Sequence, residues 1–341
     1  MAKTVLVTGA TGFIAQQLIL DLLARDYAVR GTVRSLGKAE KLRKTLSEHH
    51  GSPVQIELVE ADLESDAGWA EAVSDIDCVM HVASPFPMAP PKDPQDLIRP
   101  AKEGALRALH AARDAGVRRT VMTSSCAAIA YGYAQLPEVL TEDNWSNPDY
   151  TKDCPPYPAS KTIAERAAWD FVREEAPAME LATINPVAVF GPIRSADVRT
   201  SVGIIAQLLG GKLPMLPNAG LQFVDVRDVS LAHIAAMEKP EAAGQRFALA
   251  GEFYTLLQTA AVLREAFPQY ASKLPTRQLP SFLVKLLSHV NGDMKTISYE
   301  LDKRRFVSGD KAQSLLLEKP YISGRDAIIA SAETLINYNA I

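Results

Sequence analysis

The run Thr4-Val5-Leu6-Val7-Thr8-Gly9-Ala10-Thr11-Gly12-Phe13-Ile14-Ala15 constrains this chain more than any other stretch. A β-favouring segment leads straight into Gly9, and apolar residues at Ile14, Leu18, Leu22 and Leu23 follow at helical period. Strand, glycine turn and helix is the geometry that sets a pyrophosphate against backbone N–H groups at a helix N-terminus. Gly9 supplies the turn and Gly12 lets the backbone approach the phosphates. Ala15 stands where a third glycine often sits and adds only a methyl group. Thr11, Phe13 and Ile14 complete the set of loop residues expected against a dinucleotide.

Strand-like and helix-like segments alternate through the first half. Strands are expected at 4–8, 28–34, 54–60, 77–82, 119–124 and 180–185. Helices are expected at about 12–25, 38–49, 66–74, 95–115 and 158–176. This order describes an α/β chain with a doubly wound parallel sheet. Pro158 suits the first turn of its helix, where a missing N–H costs nothing. Beyond Asn185-Pro186 the alternation is broken by Pro192, Pro214, Pro217 and several glycines. Phe223-Val224-Asp225-Val226 and 246–249 then read as strands around a helix at 228–238, and the remainder from Thr255 is mostly helical. The expected division is a nucleotide-binding domain over 1–185 and 224–250, with a smaller substrate lobe over 186–223 and 251–341.

With 341 residues, 47% of them hydrophobic, the chain can bury such a core. Its net charge of −4 offers no basic field for nucleic acid or an anionic membrane surface. No apolar run reaches spanning length, and Thr and Gly interrupt the N-terminal run that a signal peptide would need. Cys78, Cys126 and Cys154 are odd in number and widely spaced, which argues against a disulfide framework. The histidines show no ligand spacing with Cys, Asp or Glu, so no metal is expected. A cytoplasmic monomer or homodimer, with no nucleic-acid or membrane partner, is the expectation.

Tyr157 and Lys161, in Tyr157-Pro158-Ala159-Ser160-Lys161, lie four residues apart and share one helix face. An ammonium there is expected to lower the tyrosine pKa and make it a proton donor near neutral pH. Tyr299 and Lys303 have the same spacing, but only the first pair follows both the glycine loop and Thr123-Ser124-Ser125. Ser124 and Ser125 end the fifth strand, at the sheet edge where ligands bind. Ser125 is the expected carbonyl-oxygen donor and Ser124 a neighbour of the nicotinamide. The second strand ends at Arg34 with no acidic residue before Glu40, so Arg34, with Lys38 or Lys41, suits a ribose 2′-phosphate. NADP(H) is therefore expected over NAD(H). Asp62, followed by Leu63, is placed to receive an adenine amino group or to cap a turn. Val82, Ala83 and Ser84 end the fourth strand, where the backbone passes the ribose and pyrophosphate. Cys126 beside the serines reads as a reactive thiol or a buried structural one.

These residues together resemble the extended short-chain dehydrogenase/reductase family. The resemblance rests on TGATGFIA, HVASPF at 81–86, TSSCAAI at 123–129, YPASK at 157–161 and NPVAVFGP at 185–192. The TVR ending of the second strand, HVASP and Asn185-Pro186 are similar to the dihydroflavonol-reductase and cinnamoyl-reductase branch, which also holds microbial carbonyl reductases. The resemblance implies a Rossmann domain, a Ser125–Tyr157–Lys161 triad, and Pro186 and Val187 beside the nicotinamide carboxamide. Two departures bear on substrate. Ala130 stands where the dihydroflavonol enzymes carry a flavonoid-binding Asn, and Cys154-Pro155-Pro156-Tyr157 replaces the motif around the cinnamoyl-CoA tyrosine.

The expected function is NADPH-dependent reduction of small neutral, hydrophobic ketones or aldehydes, reversible as secondary-alcohol oxidation. Phe86, Met88, Ala130 and Tyr131 are the expected substrate contacts. The basic cluster Lys303-Arg304-Arg305 reads as a solvated helix face or as a grip for a substrate phosphate. Alternatives on the same scaffold are a nucleotide-sugar epimerase or dehydratase and a hydroxysteroid dehydrogenase. A non-enzymatic NADP sensor is the alternative of another class, and the Ser–Tyr–Lys set argues against it.

Overall fold

The computed structural model describes residues 3–85, 93–196, 201–289 and 292–341. The first half contains β1 (Thr4–Val7), α1 (Phe13–Leu23), β2 (Ala28–Val33), α2 (Ala39–His50), β3 (Glu57–Glu60) and α3 (Trp69–Val73). It continues with β4 (Cys78–His81), α4 (Gln95–Asp114), β5 (Arg119–Thr123), α5 (Pro156–Glu174) and β6 (Glu180–Pro186). Then follow β7 (Ala188–Phe190), α6 (Gly203–Leu209), β8 (Leu216–Pro217), β9 (Gly220–Asp225), α7 (Val226–Glu238) and β10 (Gln245–Leu249). The chain ends with β11 (Phe253–Thr255), α8 (Leu256–Ala266), β12 (Gln278–Leu279), α9 (Ser281–Leu287), α10 (Gly292–Ser298), α11 (Asp310–Ala312) and α12 (Gly324–Asn337).

Seven parallel strands form one sheet in the order β10-β6-β5-β4-β1-β2-β3. The order reverses between β1 and β4, and a doubly wound sheet opens its ligand crevice at such a reversal, beyond the carboxyl ends of the strands. Val5 and Val7 face the α1 and α2 layer while Leu6 faces the α3, α4 and α5 layer, so a near-continuous apolar run is buried on both sides. On α4 the buried stripe Leu97, Ala101, Ala105, Ala108, Leu109 and Ala112 follows helical period. Full burial of Leu109 alone contributes about 1.5–3 kcal/mol. Gly104 lies in the same stripe, and a methyl there would meet the Leu63 Cβ at 2.8 Å, so Gly104→Ala would force α4 and the Leu63 segment apart.

Helix α5 begins two residues before the expected Pro158. Pro156 opens it, and both prolines fall in the first turn, where N–H groups lack intrahelical acceptors. Residues 246–249 join the main sheet as part of β10. The strand expected at Phe223–Val226 is instead β9, which pairs with β7 and β11 in a separate three-stranded sheet, and Val226 starts α7. The short elements β7 and α6 escaped the sequence pattern because prolines and glycines flank them. With α8 and α12 they close a second core around Phe190, Ile205, Leu209, Phe223, Leu263 and Ile328.

Candidate active site

Gly9 has a φ of +67°, and a side chain there would crowd Ala83 at 3.0 Å. The turn thus requires glycine for conformation and for contact. Helix α1 opens at Gly12 with no side-chain cap and no acidic residue in its first turn. Among the described residues its first amides have no anionic side-chain partner, which suits a phosphate. Thr8 ties the two strand ends together: its Oγ1 accepts the amides of Val82 at 3.0 Å and Ala83 at 2.9 Å. Those two amides are therefore engaged within the protein. At the end of β2, Arg34, Lys38 and Lys41 are exposed and make no ion pair among the described residues. Three unneutralised cations fit a 2′-phosphate. Asp62 caps its own turn, Oδ1 accepting the Glu64 amide at 3.0 Å, while Leu63 packs against Gly104.

The crevice continues to the catalytic candidates. Ser125 follows β5, and its Oγ accepts the Ala127 amide at 3.1 Å. The same side chain hydrogen-bonds Tyr157 from α5. Lys161, one turn along α5, is buried and donates from Nζ to Ser84 Oγ at 2.7 Å; it lies 5.7 Å from the centre of the Tyr157 ring. Burial lowers Lys161 to about 8, with Glu165 pulling it upward. Burial pushes Tyr157 above its ordinary value, against the hydrogen bond with Ser125 that lowers it. The expected lowering of Tyr157 by Lys161 is therefore corrected: desolvation dominates here, and the relief comes from serine. His81, behind Lys161, is driven down to about 4 by burial and then by the lysine, so it stays neutral and pairs with Thr8.

Other expectations also change. Tyr299 lies beyond the end of α10, so Tyr299 and Lys303 are not a helical pair. Arg305 does not sit on a solvated face: it is 8% exposed, bonds Asp153 and Glu300, donates to the Ala130 carbonyl at 2.7 Å, and stacks 4.1 Å from the Tyr131 ring centre. Ala130 itself is buried with Cys126, Ile129, Leu140 and Val307, which places it in the core rather than on a pocket wall. Tyr131 remains near the tyrosine, its ring under Arg305 and its hydroxyl toward Glu300. Phe86 and Met88 lie outside the described residues. Cys126 is buried, donates to the Asn185 carbonyl at 2.9 Å, and is pushed well up by burial, as an inert thiol is. Pro186 closes β6, and the Val187 amide donates to the Leu249 carbonyl at 3.0 Å. Among the described residues no His, Cys, Asp and Glu group could hold a metal ion, and no helix is long and apolar enough to cross a membrane.

Sequence reasoning missed Glu165, Arg246 and the Asp153–Arg305 pair. The available signal was Glu165 itself, a charge four residues after Lys161 on the face that the helix turns inward. A cavity of about 480 Å³ between Lys152 and the C-terminal lobe was also missed; His289, Lys295, Tyr299 and Lys303 line its other side.

Strand-order reversal, glycine turn and the Ser–Tyr–Lys cluster define a nucleotide-binding α/β enzyme fold. The chain belongs to the NAD dependent epimerase/dehydratase family, whose pattern matches residues 5–250, and so to the extended short-chain dehydrogenase/reductases. It is 35% identical over 300 residues to cinnamoyl-CoA reductase 1 of Petunia hybrida, covering 87% of each chain. It is 37% identical to a putative NADPH-dependent methylglyoxal reductase, GRP2, of Candida albicans, over 80% of this chain and 86% of that one. The crystal structure of Candida albicans Gre2 with NADPH superposes with a TM-score of 0.78 at 30% identity, covering 98% of this chain and 99% of that one.

Proposed function

We propose that the chain is an NADPH-dependent carbonyl reductase, reversible as a secondary-alcohol dehydrogenase, acting on neutral hydrophobic ketones or aldehydes. The observation that carries the reading is the Ser125–Tyr157 hydrogen bond at the carboxyl edge of β5, with Lys161 one turn along α5. When bound, NADPH would supply the hydride for the carbonyl carbon. Ser125 and Tyr157 donate hydrogen bonds to the carbonyl oxygen and stabilise charge as it develops there. Tyr157 then gives up its proton, and Lys161 holds positive charge beside it. Neutral substrates suit the wall at Tyr131, where Arg305 is already balanced by Asp153 and Glu300. Arg34, Lys38 and Lys41 favour NADPH over NADH. Arg34→Ala should erode that preference by about 1.5–3 kcal/mol, the worth of a charge-assisted hydrogen bond.

The basic cavity favours a second reading, an acyl thioester whose phosphorylated carrier rests on Lys152, Lys295 and Lys303. A panel of aryl ketones, alkyl ketones, an aryl-CoA thioester and a nucleotide sugar, followed by NADPH oxidation, decides between them. Preference for ketones supports the first reading and preference for the thioester the second. Turnover of the nucleotide sugar alone replaces both with an epimerase or dehydratase.

A further inference from the structure

We propose that Glu165 is a positioning residue of this active site: its carboxylate locks the catalytic face of α5 to the serine turn after β5 and to the segment entering Pro186. The inference rests on the reductase reading and extends it to a residue outside the triad.

Glu165 is fully buried one turn beyond Lys161. Its Oε2 accepts from Ser124 Oγ at 2.5 Å, at the end of β5, and from Asn185 Nδ2 at 2.7 Å, on β6. Its Oε1 accepts from Arg246 Nε at 2.7 Å, on β10, from Thr183 Oγ1 at 3.1 Å, and from Trp169 Nε1 at 3.3 Å. One side chain thus joins the helix to three adjacent strands. Asn185 Nδ2 also donates to the Ser125 carbonyl at 3.2 Å, so Glu165 grips both residues of the serine turn. Both contacts of this amide are acceptors, which fixes its orientation and leaves Oδ1 buried without a partner among the described residues.

Docking a helix on a sheet does not need this. Farther along α5, Ala168 and Phe171 do it with apolar packing. A buried ion pair is a poor source of net stability compared with apolar residues of similar volume. The polar cluster lies only at the catalytic end of α5, where a displacement of about 1 Å can cost roughly 100-fold in rate. Charge adds to geometry. Lys161 is faced by Ser84, Tyr157, His81 and Glu165, and Glu165 in turn by Arg246, with Cys126 and Glu142 nearby. Glu165→Gln keeps the shape but removes the anion that supports the lysine charge.

The test compares the unmutated enzyme with Glu165→Gln and Ser124→Ala. In Glu165→Gln, kcat should fall about ten-fold or more with KM shifted less than about three-fold, the pattern of an interaction made in the transition state. The alkaline limb of its pH–kcat profile should move to lower pH, because Lys161 loses its proton sooner. Amide hydrogen exchange over 123–130 should quicken in both variants, while the loop at 8–13 is unchanged. Ser124→Ala keeps the test alive if the glutamine variant fails to fold, since it removes only the 2.5 Å bond. A folded variant with unaltered kcat, alkaline limb and exchange overturns the proposal. If the unmutated protein reduces no carbonyl, the reductase reading fails, and the exchange measurement alone still decides the role of Glu165.

Discussion

Glu165 and Asp153 are both buried carboxylates held by an arginine, one on each side of Tyr157 in sequence, yet they join different things. Glu165 gathers its partners from neighbouring strands of one sheet. Asp153 is held by Arg305, 152 residues later, and by Lys303, while its other oxygen takes the amides of Gly132 and Tyr133. The first cluster joins α5 to three adjacent strands of the nucleotide half. The second ties the C-terminal lobe to the loop carrying Tyr131. Sheet topology alone brings the first together, whereas the second exists only once the lobe has docked.

The largest effect belongs to the tyrosine between them. Tyr157→Phe should lower kcat by roughly 10²–10⁴-fold, the worth of a positioned general acid. Thermal stability and NADPH binding should hold, because only a hydroxyl is lost. Tyr299→Phe, on the Arg305 side, should leave kcat nearly unchanged. Paired kinetics and melting curves check this, and the opposite ranking would move the site into the lobe.

Next comes the clamp. Arg305→Met leaves Asp153 buried without its main partner and should cost about 3–5 kcal/mol of stability. Arg304→Ala, at an exposed neighbour, should stay within about 0.5 kcal/mol. Urea titration of both variants reads the difference. A mild Arg305→Met would show that the lobe docks through its apolar core and that the ion cluster is incidental.

Acid should separate the two regions. His81 on β4 and His233 on α7 are buried and lowered to about 4, chiefly by desolvation. Their unfolded value near 6.5 is higher, so the unfolded chain binds more protons between the two. Their contribution is complete above about pH 6.5 and is lost as pH falls toward 4, at roughly 1.4 kcal/mol per pKa unit for each. Burial would raise Asp153, but the bonds from Arg305, Lys303 and the Tyr133 amide outweigh it and hold it at about 2. That contribution is present above about pH 3.8 and fades only as pH falls toward 2. Hydrogen exchange between pH 7 and 4 should loosen β4 and α7 before the 130–133 loop. The reverse order would contradict the assignment of neutral histidines.

The nucleotide half was legible because its signals are local. A strand running into Gly9 and Gly12, serines at a strand end, and a tyrosine and lysine one helical turn apart each carry their geometry within a dozen residues. What escaped depends on distant partners. Arg305 looks like one of three surface cations until Asp153 and Tyr131 are folded against it. Glu165 looks like an ordinary helix charge until the sheet turns it inward. The fate of the Tyr157 proton also follows from burial, which no spacing reveals.

Ala130 gives the smallest effect and sharpens the boundary between lobe and sheet. Read from sequence, it stands on the substrate wall, and enlarging it should hurt bulky aryl ketones selectively. In the structure it is 3% exposed, packed beside Val307 from the C-terminal lobe, with its carbonyl held by Arg305. Ala130→Phe should therefore overpack a core seam, costing about 1–3 kcal/mol of stability. Aryl and alkyl ketones should lose kcat/KM in equal proportion, because the strain reaches Tyr131 through the backbone rather than through the pocket. Matched aryl and alkyl kinetics beside a melting curve read both quantities on one preparation. A variant that melts normally yet rejects only aryl ketones would return Ala130 to the substrate wall.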